Sequence, residues 1–156
     1  MKRFYLVVMV LLSSLSYSQT YTELMRIVEK NDFKRVMIEN NFQLDSESEL
    51  DTVYGLDMVK DRDGENLSFV RGFYSDIYWN LKFIDTKRLI NRYGNYEDIT
   101  DTIKRECNYR DIFYVNGRDY VVYECDESKF DGYIGFVISE NIGYIRYFPK
   151  KFWEDE

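Results

Sequence analysis

The chain has 156 residues, 28 of them acidic and 21 basic, for a formal net charge of -7; it carries two Cys and no His. That length fits one domain, and 45% apolar residues with 18% aromatics can supply a sizeable core. Absence of His removes Ser/His/Asp and Cys/His nucleophilic arrangements, His-containing zinc sites and imidazole acid/base work, and two Cys cannot form a four-thiolate centre. An acidic chain without a basic stripe gains nothing from counterion release, so nucleic acid is not an expected partner. No cofactor and no metal are expected.

The N-terminus has the layout of a signal peptide: Lys2 and Arg3, the apolar run 4–12, then Ser13, Ser14, Leu15, Ser16, Tyr17 and Ser18. Small residues at Ser16 and Ser18 suit the peptidase, placing cleavage between Ser18 and Gln19. As a helix the apolar run rises only about 14 Å against a hydrocarbon core of roughly 30 Å, so it reads as a cleaved leader, and no membrane span is expected afterwards. Export to the periplasm or the extracellular space gives Cys107 and Cys125 a context. An oxidising compartment favours their pairing over two free buried thiols, and closing such a loop is worth about 3 kcal/mol.

The expected mature chain begins with a capping box, Thr20 with Glu23, and an apolar face of Leu24, Ile27 and Val28. Asn31 and Asp32 interrupt the stripe before Phe33, Val36 and Met37 resume it. The pattern predicts either two short helices, the second capped at Asn31, or one bent helix ending near Asn41. The period then changes from 3.6 to 2. A strand is expected at 52–59, and Leu67, Phe69 and Phe73 alternate with Ser68, Val70 and Gly72. Ile77, Trp79, Leu81 and Phe83 alternate with Tyr78, Asn80 and Lys82, predicting two half-buried antiparallel strands with these apolar series turned inward. A weaker helical stretch falls at 86–93, and a further helix carries Ile99 and Ile103 and ends near Cys107. Strands at 112–115 and 119–125 flank Asn116-Gly117, and strands at 133–139 and 142–148 flank Glu140-Asn141, both read as tight hairpins. Laid over each other with Val36 on Ile103, the halves match in kind, with Glu39/Glu106, Asn41/Asn108, Phe69/Phe136 and Val70/Val137 identical. The expected fold is a single α+β domain, 19–156. Helical segments pack on one face of an antiparallel sheet, and 20–84 and 85–148 are candidate tandem repeats of one unit.

Acidic loops offer little chemistry. Counting from Asp61, an EF-hand would need Gly at the sixth position and Glu at the twelfth, where the chain has Asn66 and Gly72, so Asp61, Asp63, Gly64 and Glu65 read as a solvated turn. Asp126, Glu127 and Asp131 read likewise. Carboxylate catalysis is the enzyme class left open, and Glu124 and Asp57, each between apolar residues, are its candidates; strand alternation explains both as outward-facing, and no enzyme is expected. Of the 15 Tyr, only Tyr5 and Tyr17 lie in the leader. Alternation places Tyr78, Tyr120, Tyr133 and Tyr144 on one sheet face, exposing their rings if Trp79, Val121, Ile134 and Ile145 point inward. Tyrosine is enriched in recognition surfaces, and it also covers sheets because it favours strands. Phe152 and Trp153 in the tail can dock on the body or on a partner.

A leader followed by twice-repeated helical segments and antiparallel strands resembles the beta-lactamase inhibitory proteins, and is similar in layout to many small exported bacterial proteins. The resemblance lies in the order of elements over most of the mature chain, with one candidate bridge here against one per repeat there. It implies a concave sheet whose aromatics grip another protein. The function expected is therefore non-catalytic binding of a protein partner in the cell envelope, inhibitor- or immunity-like. The alternative is a small carbohydrate-binding or carboxylate-dependent glycan-acting protein.

Overall fold

The computed structural model describes residues 20–27, 29–56, 58–60, 62–64, 66–68, 70–75, 78–83, 96–126 and 132–153. The expected leader, the expected helix at 86–93, Asp57, Phe69 and Ile77 lie outside them.

Helix α1 (Tyr21–Leu24) opens with the capping box: Thr20 Oγ1 accepts from the Glu23 N–H, and the Glu23 carboxylate accepts from the Thr20 N–H at 2.8 Å. A separate α2 (Lys30–Glu39) follows, capped at Glu29 rather than Asn31 and without a side-chain hydrogen bond. It ends where Asn41 takes φ 61, a left-handed conformation that Asn tolerates. Asn40 Nδ2 donates to Val36 O at 3.0 Å and to Glu23 Oε1 at 3.3 Å, so one buried amide ties the end of α2 to α1. Helix α3 (Tyr96–Glu106) has Glu97 and Asp98 in its first turn and Lys104 and Arg105 in its last, the arrangement its macrodipole favours. Its buried residues are Tyr96, Ile99, Thr100 and Ile103. No helix among the described residues is long and apolar enough to cross a membrane.

The strands are β1 (Gln43–Glu47), β2 (Asp51–Leu56), β3 (Val59–Lys60), β4 (Asn66–Leu67), β5 (Val70–Ser75), β6 (Trp79–Phe83), β7 (Asn108–Val115), β8 (Arg118–Glu124), β9 (Gly132–Ser139) and β10 (Ile142–Pro149). Eight of them form one antiparallel sheet in the order β1-β2-β5-β6-β10-β9-β8-β7, while β3 and β4 pair separately. Two meanders thus meet along β6 and β10, the last strand of each. Asn116 and Gly117, with φ 51 and 76, and Glu140 and Asn141, with φ 53 and 65, make both tight hairpins as their sequences suggest.

One row of register partners crosses all eight strands: Leu44, Tyr54, Gly72, Leu81, Ile145, Phe136, Val121 and Ile112. Its middle is buried under helical residues. Phe33 lies 6.1 Å from Tyr54 and 5.4 Å from Tyr74 between ring centroids, Tyr96 lies 5.5 Å from Phe83, and Lys104 sits over Phe136 at 5.6 Å. Its ends, Leu44 and Ile112, are exposed. At the β7 edge Asp111 Oδ1 accepts from the Ile112 N–H at 2.8 Å, and the register shifts between Tyr109 and Asp111. Both features blunt an edge that could otherwise template another strand.

Two expectations need correction. In β5 the phase is reversed: Val70 and Gly72 are buried against the helices, whereas Phe73 is half-buried on the opposite face beside Tyr78, 5.6 Å away. At Gly72 α2 comes close to the sheet, since a Cβ there would lie 2.6 Å from Met37 Sδ and 3.0 Å from Phe33 Cζ. Nor is the face opposite the helices left to water. Across β8, β9 and β10 it carries a second core of Tyr120, Val122, Tyr133, Tyr144 and Phe148, packed against Phe113, Val115, Val137, Ile142 and Trp153. A 3-10 turn (Lys150–Phe152) returns the chain so that Trp153 stacks on Phe113 at 4.8 Å and meets Phe148 edge-on at 5.2 Å. Gly135 opens the space for Phe148, whose Cε2 lies 2.7 Å from where a Gly135 Cβ would stand.

Candidate functional site

Cys107, one residue past α3, and Cys125, one residue past β8, form a disulfide with 4.5 Å between their Cα atoms. Both are buried, and the Tyr21 hydroxyl lies 3.4 Å from Cys107 Sγ. A disulfide is consistent with an oxidising compartment. Beside it Tyr21, Thr22, Thr102, Glu106 and Asp126 line an open cavity of about 430 Å³. A second, of about 500 Å³, runs between α3 and β9 and is lined by Tyr96, Lys104, Phe136 and Ile138 among others. In the second cavity, burial holds the Tyr96 hydroxyl far above its ordinary pKa. Glu124 is engaged by Lys150 Nζ at 2.6 Å. Among the described residues no group of three or more Cys, Asp or Glu is placed to hold a metal ion.

Tyr78, Tyr120, Tyr133 and Tyr144 do share the face opposite the helices, but their rings are not displayed as expected. Tyr120, Tyr133 and Tyr144 are buried at 3, 2 and 8% exposure, and Tyr78 is half-buried. The cause is the second core: Phe113 meets Tyr133 edge-on at 5.9 Å and Phe148 meets Tyr120 edge-on at 5.6 Å. Cations close over the rest. Arg146 lies 3.7 Å over the Tyr78 ring and 5.4 Å from that of Phe148, and Arg118 lies 4.4 Å over the Tyr144 ring while donating to its hydroxyl at 3.2 Å. Arg110 and Lys150 sit near Tyr133, at 5.8 and 5.9 Å.

Arg146 is the centre of this face. It stands in the middle of a register row, with Gly135 on one side and Asn80 and Phe73 on the other. Burial lowers the pKa of its guanidinium, against the opposing influence of Tyr78 and Tyr120; burial raises that of Tyr120, against the lowering influence of Arg146 and Arg118. Sequence reasoning passed over Arg118 and Arg146, because alternation treats a strand arginine as a solvated one. The available signal was the setting of Arg146, a lone charge in the aromatic run Tyr144, Ile145, Arg146, Tyr147, Phe148.

The arrangement is a packed aromatic platform with cations embedded in it. On the β5 and β6 side its residues Arg71, Phe73, Tyr78, Asn80 and Lys82 are all only half-buried. A platform of this kind can hold a partner's surface by ring contact and charge-assisted hydrogen bonds. No protein-family model, curated protein or solved structure matches the chain.

Proposed function

We propose that this chain is an exported, non-catalytic binding protein of the cell envelope, inhibitor- or immunity-like, that engages a protein partner through the sheet face opposite its helices. The observation that carries the reading is the platform itself, aromatic residues and guanidiniums packed together on an eight-stranded sheet. Fixed aromatic and arginine groups lose little entropy on contact, which is the quality that concentrates binding energy at interface centres.

The reading includes two copies of one unit, as in the inhibitor family that the order of elements resembles. Its support is register. Each first strand shifts after its second residue, between Leu44 and Ser46 and between Tyr109 and Asp111. The β6 and β10 pairing brings Asn80 opposite Arg146 and Leu81 opposite Ile145, so the two meanders run outward in opposite directions from one seam.

The test is capture from envelope extract with the full chain. Wild type and the edge variant Ile112→Ser are expected to recover the same protein, while Tyr78→Ala and Lys82→Glu lose it. Recovery of no protein, together with selective retention on a glycan array, refutes the proposal. It would favour the second reading, a glycan-binding or glycan-acting protein, for which the cavity holding both Glu106 and Asp126 beside Tyr21 speaks.

A further inference from the structure

Arg35 pairs with Asp32, Arg71 with Asp45 and Arg105 with Glu106, while Lys30, Lys104 and Lys150 each meet a carboxylate. Arg118 and Arg146 meet none among the described residues, in a chain with 28 acidic side chains to draw on. Arg146 is 9% exposed, and its neighbours are the Tyr78 and Phe148 rings and the Tyr120 hydroxyl. Arg118, half-buried, donates to Asn116 O at 3.2 Å and to the Tyr144 hydroxyl. Both also oppose the rise that burial imposes on the pKa of Tyr120, so two positive charges bear on the face opposite the helices. The buried Nε of each has no hydrogen-bond partner.

Desolvated charges are ordinarily paired, and an unpaired buried N–H is a cost that folded proteins avoid. Here three such donors, the Nε of Arg71, Arg118 and Arg146, coincide on one face, and of the three residues only Arg71 has a carboxylate partner among the described residues, Asp45. The Tyr144 ring lies against the Arg118 guanidinium and the Tyr78 ring against that of Arg146, and a guanidinium presents its N–H donors at the edge, in a fork that matches a carboxylate. Lys82, opposite Tyr144 in the register, adds a further positive charge to the same face, whereas Glu124 on that face is taken by Lys150.

We infer that Arg118 and Arg146 form a docking point for a carboxylate, taking an Asp or Glu side chain from the protein partner. The inference rests on the proposed protein-binding function for the source of that carboxylate, and deepens it by naming what the partner must present.

The test is a titration of the full, oxidised chain followed by NMR of the arginine Nε–Hε groups. The probes are an acetylated, amidated hexaglutamate peptide, its hexaglutamine counterpart and inorganic phosphate. The Arg118 and Arg146 signals are expected to shift saturably with the hexaglutamate peptide while that of Arg35 stays put. Arg118→Gln should weaken the peptide at least about tenfold, and Arg118→Lys, which keeps the charge but not the fork, should weaken it less. An unchanged near-UV spectrum establishes that each variant is folded, and if Arg118→Gln fails that check, Arg118→Lys alone decides. No saturable shift, an equal response to hexaglutamine, or indifference to the folded Arg118 variants overturns the docking point; tighter binding of phosphate than of the peptide overturns the carboxylate assignment. Failure to capture a protein while the peptide still binds refutes only the partner reading, and capture without peptide binding refutes only the docking point.

Discussion

Truncating Phe148 tests the second core directly. The ring is 1% exposed and lies within 5.2 to 5.6 Å of the Trp153, Phe113 and Tyr120 rings, edge-on to each. A buried phenylalanine removes on the order of 150 Å² or more from water, worth about 4 kcal/mol at ~25 cal/mol per Å². Phe-to-Ala changes in closed cores cost about 3–5 kcal/mol, so Phe148→Ala is expected to lose about 4 kcal/mol. Phe73, on the same face but half-buried, should cost only about 1–2 kcal/mol when cut to Ala. Urea unfolding followed by far-UV circular dichroism, with linear extrapolation, reads both. The loss is a large share of a typical domain's total stability, so Phe148→Leu, expected to cost about 1 kcal/mol, keeps the measurement in range. If Phe148→Ala costs no more than Phe73→Ala, the face is wet after all and the aromatic platform does not exist.

Three further outcomes follow from the same structure. Replacing Cys107 and Cys125 by Ser, a pair separated by 18 positions, should cost about 3 kcal/mol; reductant should lower the wild-type urea midpoint comparably, and a midpoint indifferent to reductant would contradict the bridge. Gly135→Ala should destabilise by about 1–3 kcal/mol because its Cβ meets Phe148 and Val122, and the penalty should shrink in a Phe148→Leu background, which a double-mutant cycle measures. Burial raises the pKa of Tyr96 and Tyr120 above 10.0 in the native state. Below that value both states hold the protons and nothing changes; above it the unfolded chain releases them first, so stability should fall as pH rises from about 9 to about 11. A flat unfolding midpoint over that range would contradict the burial of these hydroxyls.

What was legible in the sequence was local. Asn116-Gly117 and Glu140-Asn141 set their hairpins by backbone preference alone, the Thr20 and Glu23 box needs only its own turn, and Ile99 and Ile103 mark α3 by spacing. The series Trp79, Leu81 and Phe83 also points inward as its alternation predicts. Phase in β5 was not legible, because an apolar Phe73 outweighs a glycine in any pattern, and the inward role of Gly72 comes from the approach of Met37 and Phe33 on a distant helix. The four tyrosines were placed on the correct face, but Tyr120, Tyr133 and Tyr144 are buried there, since their cover comes from elsewhere in the sheet: Phe148 for Tyr120, Phe113 for Tyr133 and Arg118 for Tyr144. Arg146 was invisible for the same reason: its surroundings come from three strands and cannot be read from one.

The join between β6 and β10 has a kinetic consequence. Every other pairing of the large sheet links successive strands, save that the small β3 and β4 pair lies between β2 and β5, while this one matches Phe83 with Gly143 and Asn80 with Arg146. Loop closure makes such a contact the slowest to form and the first to be given up. Each meander can zip from its own turns, so assembly should finish at the midline, and amide protons along β6 should exchange by a sub-global opening that leaves β7, β8 and β9 protected.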